Sequence, residues 1–355
     1  MSFILVSCSS EDNENNNTPK NIILLVGDGM GITQIAATEY AVGNLNITSM
    51  PYSGAIFTHS SNRRVGDSAA GATTLASGYK TNNGMLGMTP DGSPLQSIAH
   101  YANELGKSTA LLSTCRVTHA TPAGFGVHHE SRGDEFIIAG KYVDSGIDMI
   151  LGAGSNYFIP ESEGGRREDE RNLFTEMQEK GYHVIDDENN IDQILGQDKV
   201  IALIEGQDLD RYPERGDQMN RLTKSALEQL SQNPEGFFMM IEGSMIDWGS
   251  HDNDIDFTIN ELTDFDNVLG DVLEFARNDG NTLVVVTADH ETGGLTLHNG
   301  EGPEGIEYQW ATGGHSAAPV PIYSYGPSAE IFSGLYDNTQ VARKMFSLWG
   351  KTIED

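Results

Sequence analysis

Four short segments of the 355-residue chain hold acidic and histidine residues at spacings that suit metal-assisted chemistry. Asp28 lies in Gly27-Asp28-Gly29-Met30-Gly31, where flanking glycines let an ion approach the carboxylate closely. The segment also reads as a plain turn. A dinucleotide-binding loop fits poorly, because position 32 is Ile where a third glycine belongs. In Glu242–His251, Asp247 and His251 stand at i and i+4, on one face of a helix, with Glu242 at the preceding strand end. Carboxylate with imidazole suits zinc, and an all-oxygen set suits magnesium. The bland alternative is a solvated helix start with capping acids. Asp289 and His290 are adjacent in the Gly-rich turn ending at Gly294, and His315 follows Gly313 and Gly314. A lone histidine is more often structural than a ligand, so the case rests on all four segments meeting at one sheet edge.

Ser68 is the candidate nucleophile, in a segment of small residues running from Gly66 to Gly78. At a helix amino terminus its oxygen gains from exposed N–H groups and the dipole, which favour an anion there. The common use of Asp and Ser at such a place is simple capping. No histidine base lies nearby in sequence, so a metal has to activate the hydroxyl. Arg132 can clamp two phosphate oxygens through its fork, or it pairs at the surface with Glu130 or Asp134. Asp252, Asp254 and Asp256 resemble the start of a calcium loop. Phe257 replaces the required glycine and Thr263 the closing Glu, which excludes that reading.

These segments need a scaffold of strands that end side by side. Buried-type apolar runs occur at Asn21–Val26, Ser108–Thr114, Gly236–Ile241 and Asn281–Thr287, and Val320–Tyr325 reads as a strand nearer an edge. Helical patterns lie between them, near Thr33–Tyr40, Met219–Gln232 and Phe257–Asn278. Alternating strands and helices predict an α/β fold, with a large, mostly parallel central sheet between two helical layers. Sites in such sheets collect at the carboxyl ends of strands. The stretch 155–217 is rich in charge and glycine and reads as an insertion in a single domain spanning 21–355.

With 21 basic and 52 acidic residues the net charge is −31, which argues against nucleic acid as a partner. It also opposes any anionic substrate unless local positive charge is strong. Two cysteines, Cys8 and Cys115, cannot make a disulfide framework. Residues 1–20 read as a truncated lipoprotein-like signal, with Cys8 as the lipid-bearing residue, followed by a polar tether, the bland alternative being a chance cysteine on a frayed terminus. That predicts an exported chain, periplasmic or at the cell surface.

Taken together, the motifs GDGMG, GDSAAGAT, THATPAG, HESR, EGSMIDWGSH, TADHETGG and ATGGHS occur in this order between Asn21 and Pro327. This series resembles the alkaline phosphatase family of metal-dependent phosphomonoesterases. The resemblance implies a three-layer α/β/α sandwich with surface insertions. It implies one zinc held by Asp247, His251 and His315, and a second held by Asp28, Asp289 and His290 with Ser68 as exchangeable ligand. A magnesium would be held by Asp28, Thr121 and Glu242. Arg132 matches the arginine that holds substrate phosphate, and Asp67 the acid that orients it. His119 and Trp248 stand where the best-known bacterial members carry an aspartate and a lysine near phosphate and the third ion. Four carboxylates against three divalent ions leave the loaded site about two charges positive, which answers the overall acidity.

The implied reaction is hydrolysis of phosphate monoesters through a phosphoserine on Ser68, by a homodimer. Related sulfatases need a Cys/Ser-x-Pro-x-Arg context, which Ser68-Ala69-Ala70-Gly71-Ala72 lacks. Related phosphodiesterases use threonine and lack the arginine clamp. An acidic surface lipoprotein that binds metal or phosphate without turnover is the reading from a different class. It leaves Ser68 and Arg132 without a role.

Overall fold

Branched and long apolar residues set the central strands in the computed structural model, which describes residues 18–300, 305 and 307–354. The strands are β1 (Asn21–Gly27), β2 (Tyr52–Phe57), β3 (Ser108–Arg116), β4 (Met149–Ala153), β5 (His183–Ile185), β6 (Val200–Leu203) and β7 (Phe237–Gly243). They continue with β8 (Thr282–Thr287), β9 (Glu291–Thr292), β10 (Thr296–His298), β11 (Glu307–Gln309), β12 (His315–Ser316), β13 (Val320–Tyr325) and β14 (Gly334–Asp337). Ten of them form one sheet in the order β14-β2-β13-β8-β1-β7-β3-β4-β6-β5. Every pairing in it is parallel except those of β13. β1 and β7 are buried along their whole length, as strands covered on both faces must be.

The helices are α1 (Ile32–Val42), α2 (Ser68–Ser77), α3 (Ile98–Glu104), α4 (Ala120–Gly126), α5 (Glu135–Tyr142), α6 (Leu173–Glu179), α7 (Gln218–Leu230), α8 (Met245–His251), α9 (Ile255–Asp279) and α10 (Thr339–Leu348). α1, α7 and α8 pack on α9, while α2, α3, α4 and α10 form a second group. Both groups contact β3 and β7, giving three layers. α7 buries Met219, Leu222, Ala226, Leu227 and Leu230, the stripe expected of a helix lying on a sheet. α9 starts at Asp254, whose side chain accepts from Phe257 N, and stops at Gly280 in the left-handed conformation. Asp254 is thus a cap rather than a calcium ligand. α2 is buried at every position, so its small side chains allow close packing.

Val320–Tyr325 lies between β8 and β2, third from one end of the sheet and so nearer an edge than β8, β1 and β7, with β2 and β14 beyond it. Those outer strands carry exposed positions and give weaker sequence signals. One expectation changes: the stretch 155–217 is not wholly outside the core. It supplies β5 and β6, and Val200–Leu203 is fully buried. Four apolar residues within a charged stretch suffice to seat a parallel strand. The lipoprotein-like signal, with Cys8, lies outside the described residues.

Arg215 anchors the end of that stretch to α9. Its guanidinium, 1% exposed, lies 2.6 Å from both Glu261 Oε2 and Asp264 Oδ2. Replacing Arg215 with Ala strands two buried carboxylates and should lower the unfolding free energy by about 3–5 kcal/mol. Arg171→Ala breaks an exposed pair with Glu176 and should change it by less than about 1 kcal/mol. Urea unfolding followed by tryptophan fluorescence distinguishes the two. Equal losses would deny the buried triad its anchoring role.

Candidate active site

Strand register brings the sequence motifs together. Val26 pairs with Glu242 and Thr287, and Ser113 pairs with Glu242 from the other side. The residues just past these positions therefore emerge at one edge: Asp28 after β1, Cys115 and His119 at the end of β3, Asp247 after β7, and Asp289 with His290 after β8. Gly29 turns the chain at φ +69°, and a Cβ there would sit 2.8 Å from Asp247 Oδ1. Only glycine satisfies both demands. Gly71 does the same for packing, since its Cβ would meet the Asp289 side chain at 2.8 Å.

His290 Nε2 lies 3.5 Å from Asp28 Oδ1, 3.2 Å from Asp289 Oδ2 and 3.2 Å from Ser68 Oγ. His251 Nε2 lies 3.3 Å from Asp247 Oδ2, and His315 Nε2 lies 3.7 Å from Asp247 Oδ1. Backbone carbonyls fix these rings: Nδ1 of His251 contacts Gly313 O at 2.8 Å, and Nδ1 of His315 contacts Gly66 O at 3.0 Å. In the neutral rings, donation from each Nδ1 leaves each Nε2 as the lone pair that ligates metal. Those two Nε2 atoms face each other at 3.1 Å. Without a metal ion, a proton on His251 Nε2, shared with Asp247, lies between them. Thr292 Oγ1 donates to Asp247, and Ser113 Oγ donates to Glu242 Oε2, fixing both carboxylates from behind.

Buried polar atoms without a hydrogen-bond partner gather here: both oxygens of Asp28, Asp289 Oδ2, Glu242 Oε1, Thr121 Oγ1 and His119 Nδ1. Orphaned buried polar atoms are rare in folded chains, and these fit a site built for cations. Asp28, Asp289 and His290 offer ligand atoms within 4.8 Å of one another, as do Asp247, His290 and His315, and Cys115, His119 and Glu242. Thr121 and Glu242 are fully buried.

Arg132 reaches across the sequence instead of pairing with its neighbours. Its Nη1 donates to Asp67 Oδ2 at 3.3 Å, while Asp134 takes His129. Asp67 Oδ1 meanwhile caps α2 by accepting from Ala70 N at 3.0 Å, so one carboxylate positions both Ser68 and Arg132. Nη2 of Arg132 lies 3.0 Å from His119 Nε2, and Trp248 sits edge-on to His119 with ring centroids 6.4 Å apart. Sequence reading named the inner residues but missed Ser113, Cys115, Thr292 and the two ring-orienting carbonyls. The signal for Ser113 and Cys115 is the parallel register of β3 with β7, and the others come from loops and from β9, so no local pattern carries them.

Crowded acids and burial shift the titrations. Burial, then Asp289, raises Asp28 well above the usual carboxylate range. Burial raises Glu242 to about 7 and Asp289 to about 6. Burial also lowers His290 to about 3, reinforced by His315. The hydrogen bond with Asp247 lifts His251 to about 9 from its ordinary 6.5. A raised imidazole stabilises the fold fully below its unfolded value, and that contribution is lost as pH climbs through the folded one. A carboxylate raised by burial destabilises progressively from its unfolded value up to its folded one. His290 opposes these trends only below 6.5, the unfolded value. Metal-stripped protein should therefore melt at falling temperature between about pH 7 and 9, and saturating divalent metal should flatten the slope. Calorimetry across that window tests this, and a flat curve for the stripped chain would refute it.

The sequence matches the alkaline phosphatase family over residues 19–308 and 303–350. It is 31% identical to alkaline phosphatase 3 of Bacillus subtilis strain 168, over 96% of this chain and 91% of that protein. Among solved structures, the alkaline phosphatase of the Antarctic bacterium TAB5 superposes with TM-score 0.88 at 37% identity, covering 94% of this chain and all of that one. A TAB5 variant with a histidine replaced by aspartate, solved with magnesium in a site called M3, gives TM-score 0.87 at 36% identity, covering 93% and 98%. A match over nearly the whole described chain, on a sheet edge that gathers the family's motifs, shows that this protein belongs to the alkaline phosphatase family and is a hydrolase of phosphate monoesters.

Proposed function

We propose that Ser68 is the nucleophile, that Arg132 binds the phosphate, and that three divalent ions complete the site. The observation that carries this is Ser68 Oγ at the start of α2, 3.2 Å from His290 Nε2 and beside an arginine fixed through Asp67. In this reading one zinc is held by Asp247, His251 and His315, and a second by Asp28, Asp289 and His290. A third ion, magnesium in the family pattern, is held by Asp28, Thr121 and Glu242. When bound, such ions lower the affinity of the serine oxygen for its proton and neutralise charge on the leaving oxygen.

The chain's own groups do the rest. The exposed amides of α2 favour negative charge at Ser68 Oγ, and the residue, 2% exposed, is held in one place. Arg132 holds two phosphoryl oxygens in line with that oxygen. Ser68 Oγ gives up its proton to solvent and its bond to phosphorus forms as the bond to the alcohol oxygen breaks, the alcohol leaving with a proton from solvent. Water then cleaves the phosphoserine and releases inorganic phosphate. Asp67 keeps the guanidinium aimed, and His119 and Trp248 line the phosphate side. Orphaned carboxylate oxygens and closely grouped ligand atoms support the metal assignments.

The reading extends to an exported homodimer with a lipid anchor through Cys8. Among the described residues no helix is long and apolar enough to cross a membrane.

Ser68→Ala should abolish turnover of an aryl phosphate and the phosphoenzyme burst; an undiminished burst would exclude this nucleophile. Arg132→Ala should lower kcat/KM about tenfold to a hundredfold, from charge-assisted hydrogen bonds worth roughly 1.5–3 kcal/mol. Chelation should remove activity and zinc restore it. Metal uptake and phosphate binding with no turnover would support the binding protein instead.

A further inference from the structure

At the end of β3 a thiol lies among the side chains assigned to the third ion. Cys115 is fully buried, with Sγ 3.3 Å from Ser113 Oγ and 3.8 Å from Glu242 Oε2. A buried cysteine is usually a small apolar filler. This one is grouped with two side chains that keep an unpartnered atom, since Glu242 Oε1 and His119 Nδ1 are buried without a hydrogen bond, as is Thr121 Oγ1. Cys115, His119 and Glu242 present one ligand atom each within 4.8 Å of one another.

We propose that Cys115, His119 and Glu242 make the third site of this chain a thiolate–imidazole–carboxylate site, selective for zinc or another borderline-soft ion over magnesium. The proposal rests on the phosphatase reading above and changes the identity of its third ion. Magnesium demands near-regular octahedral oxygen ligation and retains several waters. Sulfur, nitrogen and carboxylate oxygen instead match the donor set of tetrahedral zinc. On binding, the S–H bond breaks, its electron pair passes to the metal–sulfur bond, and the proton leaves to solvent. Ligation through His119 Nδ1 moves the ring proton to Nε2. That nitrogen then no longer accepts from Arg132, which lies 3.0 Å away. Filling the site therefore frees the guanidinium for phosphate.

Cobalt(II) titration of the metal-stripped full chain, carrying Cys8→Ser, tests this directly. Visible d–d bands report the first two ions, whose proposed ligands contain no sulfur. The third equivalent should add an intense near-ultraviolet thiolate-to-cobalt band, which Cys115→Ser should eliminate while keeping the earlier bands. The unsubstituted Cys115 spectrum decides the matter even if that variant folds badly. A third cobalt without the band, in protein that turns over phosphate monoesters after zinc loading, overturns the thiolate site alone. No cobalt bands and no turnover overturn the phosphatase reading with it.

Discussion

Asp28, Glu242, Asp247 and Asp289 are gathered, nearly inaccessible to solvent, at one edge of a ten-stranded sheet. Unpaired buried carboxylates are among the most unfavourable arrangements a fold can contain. The neighbouring structure is arranged around that repulsion. Ser113 and Thr292 hydrogen-bond two of the acids, and Gly29 N donates to a third at 3.2 Å. What remains unpaired after those bonds is the oxygen set that suits divalent cations. The cluster is thus a strained place in an otherwise well-packed domain, and the strain is the source of its affinity for positive charge. It also reconciles an acidic chain with an anionic substrate, since the local field need not follow the global one.

The rigid frame of the sheet makes this arrangement tolerable. Parallel strands β8, β1, β7 and β3 are hydrogen-bonded neighbours, so their carboxyl ends lie within a few ångströms of one another. Each contributes its functional residue within a few positions of its last ladder pair. α2 and α8 then present Ser68 and the Asp247–His251 pair from opposite helical groups. Asp67 links two of these parts, capping α2 and holding Arg132, so the helix start at Ser68 and the Arg132 guanidinium share one anchor. His119 ties Arg132 to the buried cluster around Glu242, with one ring nitrogen on the guanidinium and the other without a hydrogen-bond partner.

Much was legible in the sequence, for a physical reason. Buried parallel strands read as continuous apolar runs, and β1, β3, β7 and β8 each fall within a few residues of where those runs predict them. The i and i+4 spacing of Asp247 and His251 follows from helical geometry alone, and glycines around Asp28 announce a turn that a side chain would block. By contrast β2 and β14 are half-exposed and lack such runs. β6 hides its four apolar residues within a charged segment. Local composition cannot show that a short run has a partner strand far away in sequence.

Ordered motifs determined the family and the residue types available for chemistry, because both depend on covalent sequence. Only the tertiary structure decided which groups meet. Arg132 had two plausible partners two residues away, and takes Asp67, 65 residues distant. The ring orientations of His251 and His315 are held by carbonyls of Gly313 and Gly66, which no spacing rule reveals. Cys115, unremarkable in the chain, lies near Glu242 because Ser113 and Glu242 share a register across two parallel strands. Such pairings are fixed by strand order and register, which arise from burial of the whole sheet rather than from any segment of it.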